Sequence, residues 1–123
     1  ELNSGRWQNR VAALKIIDKN GLEIKQFQAY PQLLKSSYIA ERYWFVRTLA
    51  NSRNPETYID LLSFLNDSQP NVVSMALYAL GKRGNKNSIG RIMQVIKTSD
   101  DWYHQWYAYK ALRALGWRQT KLK

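Results

Sequence analysis

Asp100 and His104 stand four residues apart and would share one face of a helix. A carboxylate and an imidazole at that spacing make half of a metal site. His104 is the chain's single histidine and there is no cysteine, so a conventional zinc site lacks its other ligands. The simpler reading makes Asp100 a helix cap and His104 a surface or inter-unit residue. No serine or lysine has a partner arrangement that would make it a nucleophile. Gly81-Lys82-Arg83-Gly84 is basic and flanked by glycines, but no strand precedes it, and it reads as a helix end and turn. These residues imply no catalysis, no metal and no cofactor, and no small-molecule substrate is evident.

The remaining chemistry is charge and aromatic surface. Lys and Arg total 19 against 9 Asp and Glu, a net of +10, and the chain holds 5 Trp, 8 Tyr and 3 Phe. The charge is polarised. From Lys82 to Lys123 the only acids are Asp100 and Asp101, while between Arg53 and Lys82 there is no basic residue and three acids, Glu56, Asp60 and Asp67. A basic end attracts an acidic protein, nucleic acid or anionic lipid. The apolar share of 45% is enough for a core, and 123 residues suit one domain, taken as 1–123 with a basic tail at 118–123. No apolar run is long enough to span a membrane. The chain begins at Glu1 without a signal-like segment and is expected to be a piece of a longer protein. The compartment stays open, with the cytoplasm favoured.

The elements that must position these side chains all have the helical period. Seven helices are expected, at about 5–18, 22–35, 38–51, 55–66, 70–82, 86–98 and 102–116, and no strand. Asn54-Pro55-Glu56 is a strong helix start, Asp67 can begin another, and Asp100 or Asp101 the last. Gly21, Gly81, Gly84 and Gly116 sit where helices should end. Alternate helices align with one another. Ala13, Phe45, Ala76 and Ala108 recur at spacings of 32, 31 and 32, and the same offsets match Leu14, Val46, Leu77 and Tyr109, then Ile17, Leu49, Leu80 and Leu112. The intervening helices repeat at 31: Phe27, Tyr58, Ile89; Tyr30, Leu61, Ile92; Leu33, Phe64, Val95; Leu34, Leu65, Ile96. Such columns imply helical hairpins that bury their apolar faces against one another. The phrase Ala-Leu-x-Ala-Leu-Gly, ending at Gly81 and again at Gly116, recurs at 35 instead. The extra three residues imply a last helix nearly one turn longer.

Leu65–Gly84, LNDSQPNVVSMALYALGKRG, resembles a HEAT repeat, in particular the short type of phycobilisome lyases and many bacterial scaffolds. Ser99–Trp117, SDDWYHQWYAYKALRALGW, is similar. The likeness is strongest over 55–117 and weaker before it. It implies an all-α α-solenoid of about seven antiparallel helices, three and a half HEAT-like repeats, and mainly a non-enzymatic binding scaffold. Some proteins of this kind are alkylpurine DNA glycosylases, but they are longer and no matching Trp/Asp/Arg set is present. The repeated Arg of the family falls on the column Arg10, Arg42, Val73, Gln105, and its Asp on Ser4, Ser36, Asp67, Ser99. An Asp–Arg ladder between units is therefore expected to be incomplete, with packing rather than charge holding the stack.

In such repeats the helices of the Val-Arg position line the concave surface. Opposite their core columns lie two rows: Val11, Tyr43, Ser74, Trp106, and Lys15, Arg47, Tyr78, Lys110. The next turn adds Lys19, Asn51 and Lys82, with Arg113 nearby and Tyr103 extending the aromatic side. The expected binding residues are Lys15, Tyr43, Arg47, Tyr78, Lys82, Tyr103, Trp106, Lys110 and Arg113. Trp7, Trp44 and Trp102 are expected to cover the core instead. Tyr, Trp and Arg dominate interface hot spots. The first expectation is a scaffold for a protein with an acidic surface and apolar anchors. The alternatives are nucleic acid, held by cations beside stacking rings with help from Arg118, Lys121 and Lys123, and an anionic membrane surface met by the soluble domain of a membrane-anchored protein.

Overall fold

The computed structural model describes residues 1–118. Seven α-helices follow in order: α1 Trp7–Lys19, α2 Tyr30–Leu34, α3 Ile39–Leu49, α4 Pro55–Ser63, α5 Pro70–Arg83, α6 Ile89–Thr98 and α7 Trp102–Ala114. Short 3-10 turns at Ile24–Gln26, Phe64–Asn66 and Lys86–Ser88 adjoin the even-numbered helices. There is no strand among the described residues. The odd helices form one layer, α1 on α3, α3 on α5 and α5 on α7, and the even helices pack onto it. The result is an α-solenoid. Of the expected basic tail, Arg118 is exposed and its guanidinium donates to the carbonyls of Arg113 and Trp117; Lys121 and Lys123 lie outside the described residues.

The repeat shows first in how helices begin. Ser4, Ser36, Asp67 and Ser99 each accept, through the side chain, the amide two residues on: Arg6, Tyr38, Gln69 and Asp101. The serines standing in the family's Asp column thus satisfy the same amide as Asp67. A second column, Glu23, Asn54 and Asn85, does the same for Lys25, Glu56 and Asn87 ahead of the even helices. Asp101, not Asp100, caps α7 and accepts the amides of Tyr103 and His104. The second expected helix is the exception. Instead of one helix over 22–35 there is a 3-10 turn and a five-residue α2. Pro31 explains this: within a longer helix it would lack an amide donor and its ring would strike the carbonyl of Phe27, whereas at the first turn of α2 it fits.

The core columns are buried nearly throughout. Ala13, Phe45, Ala76 and Ala108 are all shielded, as are Ile17, Leu49, Leu80 and Leu112. Leu14, Val46 and Leu77 are fully buried, but Tyr109, their counterpart, is 38% exposed. It lies on the last odd helix, where no further helix covers it among the described residues. In the even helices Tyr30, Leu61, Ile92, Leu33, Phe64 and Leu65 are buried; Phe27, Tyr58, Ile89, Leu34, Val95 and Ile96 are half-buried.

Gly81 does not end a helix. It is buried inside α5, and a Cβ there would meet Ala111 Cα at 3.0 Å. The helix ends two residues after Lys82, at Gly84, whose φ of +80° favours glycine. Gly116, at φ +90°, is its counterpart 32 residues on. The spacing of 35 therefore compares glycines with different roles, and α7, at 13 residues, is no longer than α5, at 14.

Ion pairs also join the units, more fully than expected. Arg42 pairs with Asp67 of the next unit at 2.9 and 3.2 Å and donates to the Ser36 carbonyl. Arg10 donates to the Ser4 carbonyl and pairs with Glu41 in place of the missing Asp; Glu41 also accepts Ser36 Oγ at 2.6 Å. Gln105 keeps the carbonyl contact, to Ser99 at 2.8 Å. Only Val73 leaves its position without a polar link. At the other end of the helices Glu23, Ser52, Thr57 and Arg83 form a chain of contacts of 2.6–2.8 Å. Burial opposes ionisation of Glu23, yet the donors Ser52, Arg53 and Lys25 together outweigh it and hold its carboxyl below the ordinary value. Burial pushes Arg83 down from its usual range.

Candidate aromatic and basic interface

The outward strip of the odd layer carries one side chain of the predicted second row from each helix. Lys15 on α1, Tyr78 on α5 and Lys110 on α7 are exposed, and Arg47 on α3 is partly so. In the first row Tyr43 and Ser74 are half-buried and Trp106 is 46% exposed, but Val11 is buried in the core. Three depressions run along this strip. The first, beside the C-termini of α1, α3 and α5, is lined by Asp18, Lys19, Arg47, Asn51, Tyr78 and Lys82 among others. The second lies between α5 and α7. Its floor is Gly81, Ala111 and Ala114, and its walls are Tyr78, Lys82, Tyr107 and Lys110; its volume is about 220 Å³. The third, of about 300 Å³, is bordered by Tyr43, Ser74, Met75, Asp101, Tyr103 and Tyr107 among others, near the starts of α5 and α7. Tyr78 and Lys82 are shared by the first two, and Tyr107 by the last two.

The structure thus brings Tyr43, Arg47, Tyr78, Lys82, Tyr103 and Lys110 into one connected surface. Lys15 joins through Trp44: its Nζ lies 5.2 Å and the Arg47 guanidinium 4.8 Å from the Trp44 ring centre. Trp106 and Arg113 line none of the three depressions. Trp106 sits on the adjacent strip of α7, edge-on to Tyr107, with Lys110 Nζ 4.3 Å above its ring. A cation over an indole is attracted to the negative face of the ring.

Two contributors escaped the sequence reading. Trp44 was expected over the core; it is half-buried, with two cations around it. Tyr107 falls in the same column as Trp44 and Met75, a flanking column between core and outer rows. The signal available was Arg47 three residues after Trp44, on the same helical face. Trp102 also departs from expectation: it is 63% exposed and stacks on Tyr103 at 4.2 Å. Trp7 is half-buried against Tyr38.

Helices α5 and α7 themselves are one-sided in charge, although Asp18 borders the first depression and Asp101 the third. Neither α5 nor α7 contains an Asp or Glu. Lys82 donates to Asn51 Oδ1 at 2.9 Å, and Asn51 in turn lies 3.5 Å from Asp18. Asp18 also faces Arg47 at 3.5 Å. Among the described residues no carboxylate comes within ion-pair range of Lys15, Lys82, Lys110 or Arg113. The Arg47 Nε is buried without a hydrogen-bond partner. His104 is engaged elsewhere, between Ser99 Oγ at 3.1 Å and the Pro70 carbonyl at 3.0 Å. Among the described residues no three metal-ligating side chains converge, and no helix is long and apolar enough to cross a membrane. The arrangement can hold an anionic surface and bury apolar groups beside it.

A family model described as HEAT repeats matches residues 28–113 of the chain. No curated protein gave a match.

Proposed function

Because the chain belongs to the HEAT repeat family, whose members serve in general as protein-interaction scaffolds, we propose that it binds a partner protein through the outward strip of its odd helices, read as the concave face. The partner surface is acidic and carries apolar anchors. The observation that carries this reading is the juxtaposition of exposed aromatic rings and cations, Tyr78 beside Lys82 on α5 and Trp106 under Lys110 on α7, on two helices without a carboxylate. Tyr43, Tyr78 and Tyr103 supply rigid apolar area; Lys15, Arg47, Lys82 and Lys110 supply steering and register. Trp106 and Arg113 extend the surface along α7. The protein acts as a non-enzymatic scaffold.

A copolymer of glutamate and tyrosine, polyglutamate, single-stranded DNA and phosphatidylserine vesicles separate the readings. The copolymer should bind more tightly than polyglutamate and than either of the other probes. Lys82→Glu combined with Lys110→Glu should lower copolymer affinity at least about tenfold while leaving the circular dichroism spectrum unchanged. DNA binding that falls steeply with salt, without copolymer binding, supports the nucleic-acid reading instead. Vesicle binding alone supports the membrane reading.

A further inference from the structure

We propose that the slot between α5 and α7 receives a single aliphatic side chain from an extended acidic segment of the partner. This rests on the protein-binding reading above and adds the form of the ligand. The floor has no side chain larger than a methyl group, because Gly81 lets the two helices touch: a Cβ there would come 3.0 Å from Ala111 Cα. A site built of glycine, alanine and tyrosine rings offers no donor at its base, and helical amides are already bonded internally. A phosphate could meet ammonium groups only at the rim and would lose water at the base without replacement, whereas an aliphatic group there loses only unfavourable hydration. The second observation is charge. Lys82 and Lys110 both border the slot. Each is held by a neutral partner, Asn51 at 2.9 Å and the Trp106 ring at 4.3 Å, and neither meets a carboxylate among the described residues. Restrained, uncompensated ammonium groups beside an apolar hole fit a chain whose anchor is flanked by Asp or Glu.

The test uses two short acetylated polyglutamate peptides that differ only at the centre, leucine in one and serine in the other. The leucine peptide should bind about tenfold tighter, the effect of burying one aliphatic side chain. Ala114→Phe should fill the slot and abolish that difference. The Ala111 methyl resonance of the unaltered protein should shift with the leucine peptide and not with the serine peptide, which keeps the test decisive even if the variant unfolds. Equal affinities for the two peptides would overturn the slot while leaving acidic recognition in place. Failure of both peptides, alongside binding of single-stranded DNA, would overturn the slot and the protein-binding reading together.

Discussion

The guanidinium of Arg10 makes contacts in two units at once: the Ser4 carbonyl of its own and the Glu41 carboxylate of the next. Glu41 is 1% exposed and Arg10 20%, so removing Glu41 takes away the ion-pair partner of a guanidinium that keeps its bond to the Ser4 carbonyl and borders an open cleft. Glu41→Ala should cost about 1.5 kcal/mol, read from urea unfolding. Glu41 stands outside the family's Asp column, so this rung was invisible to the alignment, whereas Arg42–Asp67 could be read from it directly. A second carboxylate supports a prediction in pH. The folded carboxyl of Glu23 titrates below its ordinary range, so the stability it contributes is complete above the unfolded value, about 4.3, and disappears as pH falls through the lower folded one. The stability gap between the parent protein and Glu23→Gln should therefore be constant near neutrality and close below about pH 4, measured by denaturation at a series of pH values.

At the scale of elements, local turns define where helices start. Asn54 Oδ1 accepts the Glu56 amide at 2.8 Å ahead of Pro55 at the first turn of α4. Asn54→Ala should cost about 1 kcal/mol in thermal melts, without altering the other helices. This start was legible because cap, proline and acid stand together. The break between the Ile24–Gln26 turn and α2 was not, because apolar spacing over 22–35 continues through Pro31 and periodicity takes no account of a missing amide. The role of Gly81 was hidden for a related reason. A glycine at the end of a helical phrase and one at a helix crossing look the same until the facing helix is known.

At the scale of the whole molecule, the period of 31–32 predicted a single layer of odd helices, and the stack α1, α3, α5, α7 is that layer. The outward rows were readable from the same period, since residues opposite a buried column face away from it. What the period could not supply was grouping across helices. Trp44 between Lys15 and Arg47, and Trp106 set off from the depressions, depend on side-chain reach between neighbouring units. The three seams also differ in kind. The α1–α3 and α3–α5 seams contain Arg–carboxylate rungs, while Val73 leaves α5–α7 with the close Gly81–Ala111 approach and the His104–Pro70 contact.

That difference gives the array a direction of failure. Arginine grips fasten the first three odd helices, and the last joint has the glycine crossing in their place. With Arg10→Gln and Arg42→Gln combined, amide exchange should quicken in α1 and α3 well before α7. The proposed docking slot, lying on the joint that holds no arginine, would outlast the opposite half of that variant.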